Sequence, residues 1–281
     1  MTQRNWLITG INSGFGREMA EQLLDRGDRV VGTTRDLSAL DDLRAAHGDR
    51  LWLAHLDLTD TPTAIRLVVR EAFTAFGRID VVVSNAGYGL FGAAEEATDD
   101  QVAHQLKTNL AGSIHLVRAV LPFLREQGGG RILQLSSVGG QAVFPGGSLY
   151  HATKWGIEGF IDAVNLEVGV FGIGCTLVEP GGARTRFRYG SARLGPKNDV
   201  YDVSPASHAR RMIEDGTVMP IGDPAKMVRL MIESVDQHPA PKRLALGSDS
   251  FMVMHKQLSE RLAELEAQRD LAFSTDWVGQ P

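Results

Sequence analysis

Tyr150 and Lys154 stand four residues apart in a stretch that reads as helix, so both side chains fall on one face. A phenol beside an ammonium group offers proton chemistry. The phenol can give a proton to an oxygen that gains charge as a carbonyl is reduced, or take one as an alcohol is oxidised. A free phenol titrates near ~10, and lowering that by ~3 pH units needs roughly 4 kcal/mol of differential interaction. A neighbouring cation in a partly dry site can supply this, so the expectation is a phenol depressed by Lys154. Ser137 ends an apolar run, where open α/β sheets hold ligands, and its hydroxyl could hold the same oxygen. An exposed surface pair has the same four-residue spacing, so the surrounding elements must decide.

Near the N-terminus a second chemical feature stands out. The run Thr9-Gly10-Ile11-Asn12-Ser13-Gly14-Phe15-Gly16 lies between an apolar run and a helix-period segment. Glycines there remove side chains, so backbone can touch a pyrophosphate while the free N–H groups of a starting helix face the anion. A tight turn with close helix packing would use the same glycines.

The elements that must position these groups alternate along the chain. Short apolar runs at Asn5–Thr9, Arg29–Thr34, Leu51–Leu56, Asp80–Ser84, Arg131–Ser136, Ile173–Glu179 and Arg243–Leu246 read as strands. Between them, helical periodicity is read after Gly14 and over Thr61–Phe76, Asp99–Gln127, Tyr150–Phe171 and Pro224–Asp236, with a charged helical tail over His255–Arg269. The uninterrupted apolar strand at 80–84 fits a sheet covered on both faces. Right-handed crossovers then give an α/β, doubly wound Rossmann-type parallel sheet of about seven strands in one domain over 1–281. Residues 189–220 break the rhythm, are rich in Gly, Pro, Ser and Asp, and read as a substrate lid or simply a mobile loop. The tail over 255–281 reads as helical.

Thr9-Gly-x-x-x-Gly-x-Gly resembles the fingerprint of the short-chain dehydrogenase/reductase family, in its compact single-domain branch. Further motifs carry the resemblance: Asp57 after strand three, Ser84-Asn85-Ala86-Gly87 after strand four with Ser for the first Asn, Asn109 in the next helix, and Pro180-Gly181 followed by Thr185. It covers roughly residues 5–187. The family places its catalytic Ser thirteen residues before its Tyr, which selects Ser137 over Ser136. The resemblance implies an oxidoreductase acting on CH–OH, with Tyr150 as acid or base and Lys154 on the nicotinamide ribose. Ser137 would hold the substrate oxygen, and Asn109 a water linking Lys154 to solvent. It implies nucleotide contacts from Gly10, Asn12, Ser13, Gly14, Phe15, Gly16, Asp57, Leu58, Asn85, Ala86, Gly87, Tyr150, Lys154, Pro180, Gly181, Ala183 and Thr185. It further implies a homodimer or homotetramer through the two long helices.

An acid at the end of strand two would select NAD(H). The chain has Thr34-Arg35-Asp36 there, and a guanidinium at position 35 could fork onto a 2′-phosphate, so NADP(H) is favoured over NAD(H). Tyr88, Leu90, Phe91, Val143, Phe144 and Phe187 follow the strand ends and are expected to wall a largely apolar pocket, which favours a hydrophobic alcohol or ketone. The stretch Thr33-Thr34-Arg35-Asp36-Leu37 and the Tyr150-x-x-x-Lys154-Trp155 context resemble the steroid and retinol dehydrogenase side of the family. His151 is read on the helix surface and Cys175 as a buried packing residue. No histidines stand at metal-ligand spacing, so no metal is expected. A net charge of −5 excludes a globally basic nucleic-acid binder, and one cysteine excludes an intrachain disulfide framework. No stretch reads as a membrane span or leader, so a cytoplasmic location is expected. The alternative is a dinucleotide-sensing regulator on the same fold, a class that typically lacks the Tyr/Lys pair.

Overall fold

The computed structural model describes residues 3–216 and 218–277. Positions 1, 2 and 278–281 of the expected domain, with the last part of the tail, and position 217 of the expected lid lie outside the described residues. Among the described residues, seven parallel strands form the central sheet: β1 (Asn5–Thr9), β2 (Arg29–Thr34), β3 (Leu51–His55), β4 (Val81–Ser84), β5 (Gly130–Leu135), β6 (Ile173–Pro180) and β7 (Arg243–Leu246). Their order is β3-β2-β1-β4-β5-β6-β7. The direction of winding reverses between β1 and β4, which opens a crevice at their carboxyl ends.

Helices cover both faces because successive strand residues are apolar on both sides. Leu7, Val31, Val82, Ile132 and Leu177 face α3 (Pro62–Phe76), α5 (Ser113–Glu126) and α6 (Ser148–Val168). Trp6, Ile8, Val30, Val83, Leu133 and Val178 face α1 (Gly14–Asp25) and α8 (Pro224–Ser234). Trp6 is fully buried, and its indole N–H donates to Asp28 at 3.0 Å, so the large ring leaves no polar group unpaired. Cys175 packs in the first of these cores, and burial pushes its thiol up to about 12.

Several boundaries depart from the sequence reading. The long helix expected over 99–127 is α4 (Asp99–Leu106), a wider π-type turn at Lys107–Gly112, and α5. A π-turn inserts a residue into the helical ladder and often marks a functional position; Asn109 lies in it. Helix α2 (Asp41–His47) carries too few apolar residues to stand out by periodicity. The segment expected as a lid contains α7 (Ser207–Asp215) and a two-residue strand, Arg193–Leu194, paired with Leu90–Phe91. Its anchor is a buried ion pair: Arg210 lies 3.2 Å from Glu96 and also donates to the Gly195 carbonyl at 2.8 Å. The tail helix starts earlier than expected, as α9 (Ser248–Ala267), followed by α10 (Arg269–Phe273). Among the described residues no helix is long and apolar enough to cross a membrane.

Candidate active site

A cleft of about 1160 Å³ runs along the carboxyl ends of the strands, from Arg35 and Asp57 at one end to α7 at the other. That exceeds the upper end of the usual range for a single drug-sized ligand, ~1,000 Å³, so two molecules can lie end to end.

The turn after β1 builds the first part. Gly10 and Gly14 have φ of 72° and 57°, a backbone region that glycine enters without strain. Asn12, Ser13, Gly14 and Phe15 line the cleft where α1 begins. Gly16 does not, contrary to expectation: a Cβ there would lie 2.3 Å from the Gly10 carbonyl oxygen and 2.7 Å from Asn85 Nδ2, so its glycine serves close packing. Across the reversal point, Thr9 Oγ1 accepts from the amides of Asn85 (3.0 Å) and Ala86 (3.1 Å), and Asn85 Nδ2 donates to the Thr9 carbonyl at 2.8 Å. These bonds lock the ends of β1 and β4 together, with Ala86 and Gly87 facing the cleft. Pro180, Gly181, Ala183 and Thr185 line it from the turn after β6.

At the far end Thr34, Arg35, Asp57 and Leu58 line the wall. Burial works to raise the Asp57 carboxyl, but hydrogen bonds from the Thr59 amide and hydroxyl, with Arg35 at 3.7 Å, prevail and hold it below the ordinary carboxylate range. Asp36 is turned away: its carboxylate accepts from the Ser38 amide at 3.0 Å and hydroxyl at 2.6 Å.

Tyr150, Lys154 and Ser137 come together in the middle. α6 is buried along the face bearing Tyr150 and Lys154, so the pair is not a surface pair. Lys154 Nζ lies 5.7 Å from the Tyr150 ring centroid and donates to the Leu135 carbonyl at 2.9 Å. Ser137 Oγ accepts from the Gly139 amide at 3.0 Å, and its hydroxyl faces the Tyr150 phenol. The chain's own groups do not by themselves depress the phenol. Burial pushes Tyr150 up to about 12, opposed by its hydrogen bond with Ser137. Burial also brings the Lys154 ammonium down to about 8, opposed by the charge of Glu158. Desolvation outweighs the help from Ser137 and Glu158 because both groups are buried in the cleft wall.

Asn109 is buried behind the site. Its Oδ1 accepts from the Tyr88 amide at 3.0 Å, and its Nδ2 donates to the Tyr88 carbonyl at 2.7 Å. The side chain thus holds the loop after β4 in place. Tyr88, Leu90, Phe91, Phe144 and Phe187 line the cleft around the phenol, with Phe91 and Phe187 rings each 5.8 Å from the Tyr150 ring. Val143 does not line it. Its amide and carbonyl are both tied to Gln257 on α9 at 2.9 Å, so it faces the C-terminal helix. His151 is buried, where a surface position was expected: Nδ1 bonds the Gly139 carbonyl at 2.8 Å, and Nε2 accepts from the Phe144 amide at 3.1 Å. Sequence reading missed the side of the cleft formed by Gln101, His104, Arg193, His208, Met212 and Ile213. These residues sit on α4 and the 189–216 segment, far apart in the chain, and no local pattern marks them. His104 pairs with the Tyr88 hydroxyl at 2.8 Å.

The family model described as short chain dehydrogenase matches residues 4–193. The chain is 33% identical over 271 residues to oxidoreductase BOA17 of Botryotinia fuckeliana, covering 96% of this chain and 98% of that protein. It is 37% identical over 181 residues to a 3-ketodihydrosphingosine reductase of Bacteroides thetaiotaomicron, covering 64% of each. The crystal structure of a short-chain dehydrogenase from Streptomyces avermitilis superimposes with a TM-score of 0.90 at 38% identity, covering 98% of this chain and 99% of that one.

Proposed function

Because the chain belongs to the short-chain dehydrogenase family, we propose that it interconverts a secondary alcohol and a ketone, or an aldehyde, on a largely apolar small molecule, with NADP(H) as the preferred nucleotide. The glycine turn at Gly10–Gly14 leaves backbone open at the start of α1, and Arg35 offers a cation at the cleft end, so the residues present fit a phosphorylated dinucleotide. When bound, such a nucleotide supplies or accepts a hydride.

The chain's own residues do the rest. Tyr150 holds its proton at neutral pH and donates it to the carbonyl oxygen in reduction. In oxidation it must first lose that proton, and Lys154 favours the resulting phenolate. Ser137 donates its O–H to the same oxygen, holding it against the phenol. Phe91, Phe144, Phe187, Met212 and Ile213 exclude water and give apolar surface to the substrate. The 189–220 segment acts as the substrate cover, anchored by Arg210 and Glu96. Subunits associate through α5 and α6, whose outer surfaces expose Leu166 and leave Val170 just beyond.

One observation carries this reading: Tyr150, Ser137 and Lys154 meet where a nucleotide cradle joins an aromatic wall in a single cleft. The test is loss of reduced-nicotinamide absorbance over a panel of apolar ketones, wild type against Tyr150→Phe. The expected loss is about 10²–10⁴-fold, the range for a general acid, with nucleotide binding retained. Equal, measurable rates in the two proteins would remove Tyr150 as the acid, and no turnover in either would favour the nucleotide-sensing alternative.

A further inference from the structure

The face of α6 that carries Tyr150 and Lys154 continues one turn further to Glu158, a buried acid to which the chemistry above gives no task. Donors converge on it. Ser136 Oγ donates to Glu158 Oε1 at 2.5 Å, Gln141 Nε2 donates to Oε2, and the Arg243 guanidinium lies 3.6 Å away. Ser136 and Gln141 flank the turn that presents Ser137. That turn has no slack: a Cβ on Gly140 would stand 1.9 Å from Glu158 Oε1 and 2.5 Å from Ser136 Oγ. Only a backbone without a side chain can pass so close to the carboxylate.

The groups facing Glu158 come from four elements. Lys154 and Asp162 share α6 with it, Ser136 and Gln141 belong to the turn after β5, Glu179 lies on β6, and Arg243 on β7. Arg243 reaches Glu179 at 3.1 Å and Asp162 at 2.5 Å. Burial and the charge of Glu158, against Arg243, push the Glu179 carboxyl up.

Resting on the oxidoreductase reading above, we propose that Glu158 is a positioning residue of this site: it seats the Ser136–Gln141 turn so that Ser137 faces Tyr150, and it places a buried negative charge one turn beyond the Lys154 ammonium. Removing a supporting group behind a reacting set shifts geometry by fractions of an ångström, which costs rate more than binding. Removing its charge also withdraws the influence that opposes desolvation of Lys154.

Glu158→Gln keeps the shape and removes the charge. Its kcat is expected to fall about ten- to a hundredfold while the KM for NADPH stays within about twofold, since an interaction made only in the transition state lowers kcat and leaves KM alone. The alkaline limb of the kcat profile should move down by about one pH unit, a tenfold change in Lys154 protonation. NMR titration of the Lys154 Cε, assigned with Lys154→Arg, should move the same way without any turnover. Ser136→Ala removes the tie and keeps the charge: kcat should fall several-fold with the alkaline limb unmoved. Wild-type kcat and an unshifted Lys154 titration in Glu158→Gln would overturn the proposal. If that variant does not fold, wild-type kcat in Ser136→Ala overturns it. Undiminished turnover in Tyr150→Phe would instead overturn the role given to Tyr150 above, and the Lys154 titration would still test Glu158.

Discussion

Arg35 lies at the nucleotide end of the cleft with its side chain 68% exposed, tied only loosely to Asp57 at 3.7 Å. A hydrogen bond to a charged group is worth about 1.5–3 kcal/mol, and solvent exposure reduces this to roughly half. Losing the guanidinium therefore removes about 1–1.5 kcal/mol from binding of a 2′-phosphate. Arg35→Asp also places a carboxylate near that phosphate. At ~4 Å in water one pair of unit charges costs about 1 kcal/mol, and the phosphate carries more than one charge. The combined loss is about 2–3 kcal/mol, or roughly thirty- to a hundredfold in affinity at ~1.4 kcal/mol per tenfold. NADH has no phosphate there and should lose nothing; the new carboxylate can accept from its ribose hydroxyls, which Asp36 cannot do while it is bonded to Ser38. The assay is the KM for NADPH and for NADH at low salt with one active ketone. The NADPH effect should shrink as ionic strength rises, because the site is exposed. An equal change in both KM values would refute the assignment of Arg35 to the phosphate.

Two further outcomes follow from buried charge. Reductive turnover should fall as pH rises through about 8, where Lys154 loses its proton, while Tyr150, at about 12, stays protonated. Stability should move the other way over that window: between about 8 and the ordinary lysine range the unfolded chain binds a proton that the folded chain does not, so the Lys154 contribution rises with pH, by about 3 kcal/mol in total. Chemical denaturation of wild type against Lys154→Met across that range checks the sign, and parallel curves would refute it. Arg210→Ala leaves Glu96 buried without its cation and should cost roughly 3–5 kcal/mol. Hydrogen exchange should show that cost first in 189–216, and uniform protection loss across the sheet would contradict the anchoring role.

The strand and helix rhythm was legible in the chain because a parallel sheet covered on both faces needs continuous apolar strands, as at Val81–Ser84, and amphipathic helices between them. The glycine turn and the Tyr150/Lys154 spacing were legible for the same reason: each is local, and one helix or one turn fixes its geometry. The readings that failed depended on partners outside the local pattern. Val143 is claimed by Gln257, Gly16 by the carbonyl of Gly10 and by Asn85, and His151 by the loop it folds under.

What the amino-acid order determined alone is the list of elements, their alternation, and the pairing of a phenol with an ammonium on one helical face. Packing decided the electrostatics. The depth at which α6 is buried raises Tyr150 and lowers Lys154: β5 meets Lys154 through the Leu135 carbonyl, and the Phe91 and Phe187 rings close on Tyr150. Desolvation is a property of everything surrounding a group, so it appears only when separate chain segments meet.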